Sequence, residues 1–172
     1  MSFKAQIKAS LGWDWSEGVR DNGRLDYAKS LSDGIGDNQA EAAWHLEQQT
    51  LLLGDWVDYD LTNLTRTVLG VDLSTAFAAI KALLLFNEST DGGELRIGGA
   101  AEDPWSAPLG GETESVLVPA DSVLLLSSRQ SGWIVDSAAR HLRLTASGGD
   151  VTYSLAVVGT LSASDSSSGS GT

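Results

Sequence analysis

From Phe3 to Trp15 the apolar residues Phe3, Ala5, Ile7, Ala9, Leu11, Trp13 and Trp15 occupy every second position, with Lys4, Gln6, Lys8, Ser10 and Asp14 between them. A period of two marks a strand with one buried face, so the pattern predicts a first strand with Trp13 and Trp15 on the core side. The turn "RDNG" follows, and the weaker alternation of Leu25, Tyr27 and Leu31 predicts a second strand over Leu25 to Leu31.

Past the midpoint the pattern becomes a series of short apolar segments: "IKALLLFN", "ELRIGG", "SVLVPADSVLLLSS", "GWIVDS", "HLRLTAS" and "DVTYSLAVVGT", divided by "STDGG", "LGGE" and "SGGD". Several are continuous Leu/Val runs of the kind covered on both faces, whereas Leu142, Leu144 and Ala146 alternate with Arg143, Thr145 and Ser147. Short strands at this spacing predict an all-β, jelly-roll-like antiparallel β-sandwich.

Two segments carry helical features, so one or two short helical turns are expected within the sandwich. Ser74 is placed to cap a brief helix through "TAFAAIK", with Phe77 and Ile80 on one face. In "GIGDNQAEAAWHLEQQTL", Asn38 and Glu41 have capping-box spacing, and Trp44 and Leu46 then alternate with His45 and Glu47. The expected form there is a helical turn leading into a strand.

A chain of 172 residues buries roughly two thirds of its unfolded surface, enough for one core. Residues 1–161 are read as a single β-sandwich domain and 162–172, "SASDSSSGSGT", as a Ser/Gly-rich tail ordered by a neighbouring subunit. The chain has no cysteine, which removes disulfides, thiolate metal sites and cysteine nucleophiles together. A net charge of −12 without a basic stripe argues against a nucleic-acid partner. The start shows no signal-peptide run and no stretch is long enough for a membrane span, so a soluble protein made in a cytoplasm is expected.

The candidate chemistry is thin. Asp58 and Asp60, beside Asp55 in "GDWVDYDL", would share a strand face about 7 Å apart, a spacing compatible with a glycosidase pair. The same pattern suits an edge strand with a solvated face, which is the preferred reading. "SDGIGDN" offers Asp33, Asp37 and Asn38 as oxygen ligands for Ca2+, but the helix-loop-helix spacing is missing, so a glycine-stabilised turn is preferred and no cofactor is expected. Gly98 and Gly99 lack the GK of a phosphate loop, and neither His45 nor His141 has a serine elbow or a metal partner.

The six tryptophans are the stronger binding signal, because indoles stack on sugars and anchor protein interfaces. Trp56, Trp105 and Trp133 lie beside Asp, Pro or Gly in expected loops, and with Trp44 they are the candidate contact residues.

The order "GIGDNQAEAAWHLEQQTL", "VDLSTAFAAIKALLLFNES", "LRIGGAAEDPW", "VLVPADSVLLL" and "VTYSLAVVGT" resembles small β-rich virion structural proteins of tailed bacteriophages. The matching positions are Gly34, Gly36, Gln39, Ala40 and Trp44, then Phe77, Ile80, Lys81 and Asn87, and finally Tyr153 and Gly159. The resemblance runs from about Leu25 to Thr160 and implies a non-enzymatic capsid-associated or tail-associated role, with no active site to transfer. The expectation is a capsid decoration or cement protein in the virion, made in the host cytoplasm. It would self-associate as a homo-oligomer, by analogy a trimer, and bind the major capsid protein or other virion proteins. The alternative is a carbohydrate-binding module or receptor-binding tip in which Trp56, Trp105 and Trp133 line a sugar groove.

Overall fold

A computed structural model describes residues 2–17, 19–100 and 102–163, and the side chains of 15–21 lie outside that description. The expected tail from residue 164 onward, and the side chain of Trp15, therefore fall outside it. The described chain is all strand and turn. It opens with β1 (Lys4–Glu17), β2 (Val19–Asp33), β3 (Gln39–Ala40), β4 (Ala42–Leu51) and β5 (Trp56–Asp60), then β6 (Leu64–Val68) and β7 (Val71–Thr75). It continues with β8 (Phe77–Asn87), β9 (Glu94–Gly98), β10 (Ser115–Val118), β11 (Ser122–Ser127), β12 (Trp133–Ile134), β13 (His141–Ser147) and β14 (Val151–Leu161).

Nine of these strands form the two sheets of the sandwich, eight of them along the main sheet paths. One sheet runs β11-β8-β14-β4, with β12 also on β8, and the other runs β10-β9-β13-β5. Counting β4, β5, β8, β9, β10, β11, β13 and β14 in chain order, the first sheet is first-eighth-third-sixth and the second is second-seventh-fourth-fifth. That order is the jelly roll, two Greek keys wrapped into two packed sheets.

The core lies between the sheets. From one come Trp44, Leu83, Leu85, Val151, Tyr153, Leu155 and Val157, and from the other Leu95, Ile97, Leu142, Leu144 and Ala146. On β13 the predicted alternation is realised, with Leu142, Leu144 and Ala146 buried and His141, Arg143 and Thr145 half-buried on the outer face.

The expected helical turns are absent among the described residues, because tertiary backbone partners take the groups that a helix would have used. Phe77 N donates to Leu61 O at 2.9 Å, and Ser74 belongs to β7. Asn38 has φ 59, its N–H reaches Arg129 O at 2.8 Å, and Glu41 N reaches Gly159 O at 2.9 Å. Glu41 does not close a capping box; its carboxylate accepts from Leu161 N, 120 residues away in sequence.

Two hairpins project from the plan. β6 and β7 pair around Leu69 and Gly70. β1 and β2 pair without a register shift from Lys4↔Ser32 to Glu17↔Val19, so the expected turn over Arg20 to Gly23 is strand. Among its described side chains, the buried ones lie at the base of this second hairpin: Ile7 and Leu31 pack with Ala82, against Ala5, Leu125 and Val158, on the outer face of the β11-β8-β14-β4 sheet.

Candidate interaction surface

The tertiary structure separates the candidate tryptophans. Trp44, on β4, is fully buried, its ring edge-on to Tyr59 at 5.5 Å and its Nε1–H donating to Thr65 O at 3.2 Å. Trp105 is also fully buried; its backbone N–H donates to His141 O and its Nε1–H to Ile134 O, which draws the "DPW" loop inward. Trp133 is half-buried, edge-on to Trp105 at 6.2 Å. Only Trp56 of the four keeps an open ring, 56% exposed, so Trp56, Trp105 and Trp133 do not line a common groove.

Around Trp56 lies a cluster of charges on the outer face of the β10-β9-β13-β5 sheet. Antiparallel register sets Arg143 opposite Asp58, and the guanidinium grips both carboxylate oxygens at 2.7 and 2.6 Å while lying 4.0 Å from the Trp56 ring centre. Arg143 is thereby held even more firmly protonated, by the hydrogen bonds to Asp58 first.

Asp60 accepts from Thr62 N and Oγ1 at 2.9 and 2.6 Å, with Arg140 3.6 Å away. Burial pushes its proton affinity up, but the Thr62 hydrogen bonds and the charges of Arg140 and His141 outweigh it and hold the carboxyl below its ordinary value. A glycosidase acid needs a raised value, so Asp60 is shifted the wrong way and Asp58 is occupied by its arginine.

His45 faces Arg66 Nη1 at 3.0 Å and His141 faces Glu102 O at 2.9 Å. Among the described residues no three His, Asp or Glu side chains gather as a metal group, and the Asp33–Asn38 turn is shaped by Gln39, whose Oε1 accepts from Gly36 N at 2.8 Å. A Cβ at Gly34 would meet that same side chain, and its φ of 129° suits glycine.

The positions behind the phage resemblance are structural. The Lys81 amine is buried and donates to Gly36 O at 3.3 Å and to Gln130 O, tying the glycine turn to the loop after β11. Burial pushes its proton affinity down, partly offset by Asp37. Asn87, fully buried, donates to Gly93 O and Val118 O and accepts from Ser89 N. Gly159 lies so close to Ala79 O that no side chain fits.

The surface that sequence reasoning assigned to the core is the distal half of the β1–β2 hairpin. Trp13 is 47% exposed and Leu11 68%, and across the ladder Leu25 is 70% exposed and Tyr27 also exposed. Alternation placed these side chains on one face correctly, but Leu11, Leu25 and Tyr27 stay exposed there instead of joining the core. Length was the available signal: fourteen residues span about 45 Å, more than twice a typical strand, so part of β1 had to leave the sandwich.

Comparison with known proteins adds no relative: no family model, no curated protein and no solved structure matches this chain.

Proposed function

We propose that the chain is a non-enzymatic structural protein of a phage particle, a decoration or cement protein that self-associates, as a trimer, and binds the capsid shell. The observation that carries this reading is the bare apolar face of the β1–β2 hairpin, an arm built to be covered by something outside its own sandwich. The burial of Trp44 and Trp105, and the pairing of Asp58 with Arg143, support a scaffold over a catalytic cleft. Purified particles imaged at side-chain resolution should show this jelly roll on the shell. Its absence from particles of the phage that encodes it sinks the reading.

A second reading rests on Trp56, whose open indole borders a depression of about 480 Å³ lined by Asp58, Glu102, His141 and Arg143. An aromatic platform edged by charged hydrogen-bonding groups suits a sugar ring. Glycan binding abolished by Trp56→Ala would establish it.

A further inference from the structure

β8 was expected to be covered on both faces, and it is covered on one and a half. Its inward residues Leu83 and Leu85 are fully buried, while outward Ala82, Leu84 and Phe86 form a row that is only partly shielded. Ala82 is covered by Ile7 at the base of the β1–β2 hairpin, but Leu84 is 42% and Phe86 40% exposed. Val123, beside Phe86 on β11, is exposed as well. On the other flank a groove of about 350 Å³ runs past Leu84 and Phe86, walled by Ala43, His45 and Ala156. A continuous Leu run with an uncovered outer half is the sequence of a strand that has a cover and the structure of one missing part of it.

The same chain carries a matching apolar face on which Leu11, Leu25 and Tyr27 are exposed. The β1–β2 face that seats Ile7 and Leu31 on this sheet continues outward as Tyr27, Leu11, Leu25 and Trp13, with the same pleat and the same alternation. Its ladder has no bulge at which to fold back, and it extends roughly 30 Å past Ile7. Charge points the same way. Residues 1–33 hold five Lys/Arg and five Asp/Glu and are neutral, whereas the rest of the chain holds six against eighteen and carries the whole −12. Two bodies of this charge repel, and the neutral arm is the part of the chain that approaches a second body at least electrostatic cost.

We propose that the distal β1–β2 face of one copy docks on the outer face of the β11-β8-β14-β4 sheet of a second copy, where Leu11, Trp13 and Leu25 cover Leu84, Phe86 and Val123. The contact repeats between chains what Ile7 and Leu31 do within one. It joins two different surfaces, so it propagates head to tail and closes into a ring when the rotation permits. This names the partner surface for the self-association proposed above and rests on that self-association, not on the phage assignment.

The chain has no cysteine, so single cysteines report on the contact cleanly. Leu11→Cys and Phe86→Cys chains, mixed and mildly oxidised, should give a mixed disulfide dimer well above the dimer formed by either variant alone, with Leu69→Cys at the other hairpin tip as a non-contacting control. Predominant Leu11→Cys self-dimers, or equal coupling to Leu69→Cys, overturn the docking. In parallel, Leu11→Ser/Leu25→Ser should keep the parent melting temperature but weaken self-association by roughly tenfold or more in sedimentation equilibrium. A parent chain that sediments at 18.1 kDa across the micromolar range, with its arm protected only on particles, assigns the arm to a shell protein and overturns the proposal while sparing the phage reading. Mixed disulfides from a chain absent from particles do the reverse.

Discussion

The indole of Trp13 lies across Gly23 on the facing strand, in the space where a side chain at that position would stand. Glycine lets the ring shelter the partner backbone, and Trp13 itself stays 47% exposed. Trp13→Ala should therefore cost less than about 1 kcal/mol, as surface changes do, whereas Trp105→Ala should cost roughly 3–5 kcal/mol by emptying a core site. Denaturant unfolding of the two variants checks this; equal losses would mean that the arm is packed in solution.

Lys81 is the one buried lysine among the described residues, and its amine serves two backbone carbonyls from different loops. Replacing it with Met keeps much of the stem and removes the donor. The expected loss is roughly 1–3 kcal/mol for each carbonyl left without a partner. Hydrogen exchange should rise locally in the Gly34–Asn38 turn and the Ser128–Gly132 loop, and a variant as stable as the parent would show that water replaces the amine.

Tyr59 and Tyr153 share a hydroxyl–hydroxyl hydrogen bond of 2.5 Å, and burial is the main reason both phenols hold their protons above the ordinary value near 10.0. The unfolded chain loses these protons first, so from about pH 10 it binds fewer protons than the folded chain. Stability then falls with rising pH, by up to about 1.4 kcal/mol per pH unit for each phenol. Lys81 acts in the opposite direction below 10.5, because its folded amine gives up its proton earlier. The comparison is therefore with Tyr59→Phe/Tyr153→Phe, which keeps Lys81; that variant should show a shallower alkaline decline, and parallel curves would refute the assignment.

Leu69 occupies the tip of the β6–β7 hairpin with φ 51, followed by Gly70 with φ 80, and is 100% exposed. Two left-handed residues in a two-residue connection form a turn that favours Asn-Gly. Leu69→Asn should stabilise the isolated chain by roughly 0.5–1 kcal/mol by relieving that conformation without loss of burial. A lowered melting temperature would show that the leucine side chain has a partner in solution.

The all-β class, the short strands past the midpoint and the single buried face of β13 were legible in the residue pattern, because periodicity reports how side chains project from their own backbone. The glycine turn at Gly34 and Gly36 was legible for the same local reason. Three features were decided only in three dimensions. The capping-box spacing of Asn38 and Glu41 yielded to hydrogen bonds from Arg129, Gly159 and Leu161, residues that local sequence does not contain. Trp105 was read as a loop contact and became core, since its loop bonds to β13. Trp13 was read as core and became surface. Alternation specifies that a strand has an apolar face, but burial needs a second surface to meet it, and whether that surface belongs to the same chain depends on strand length and sheet order.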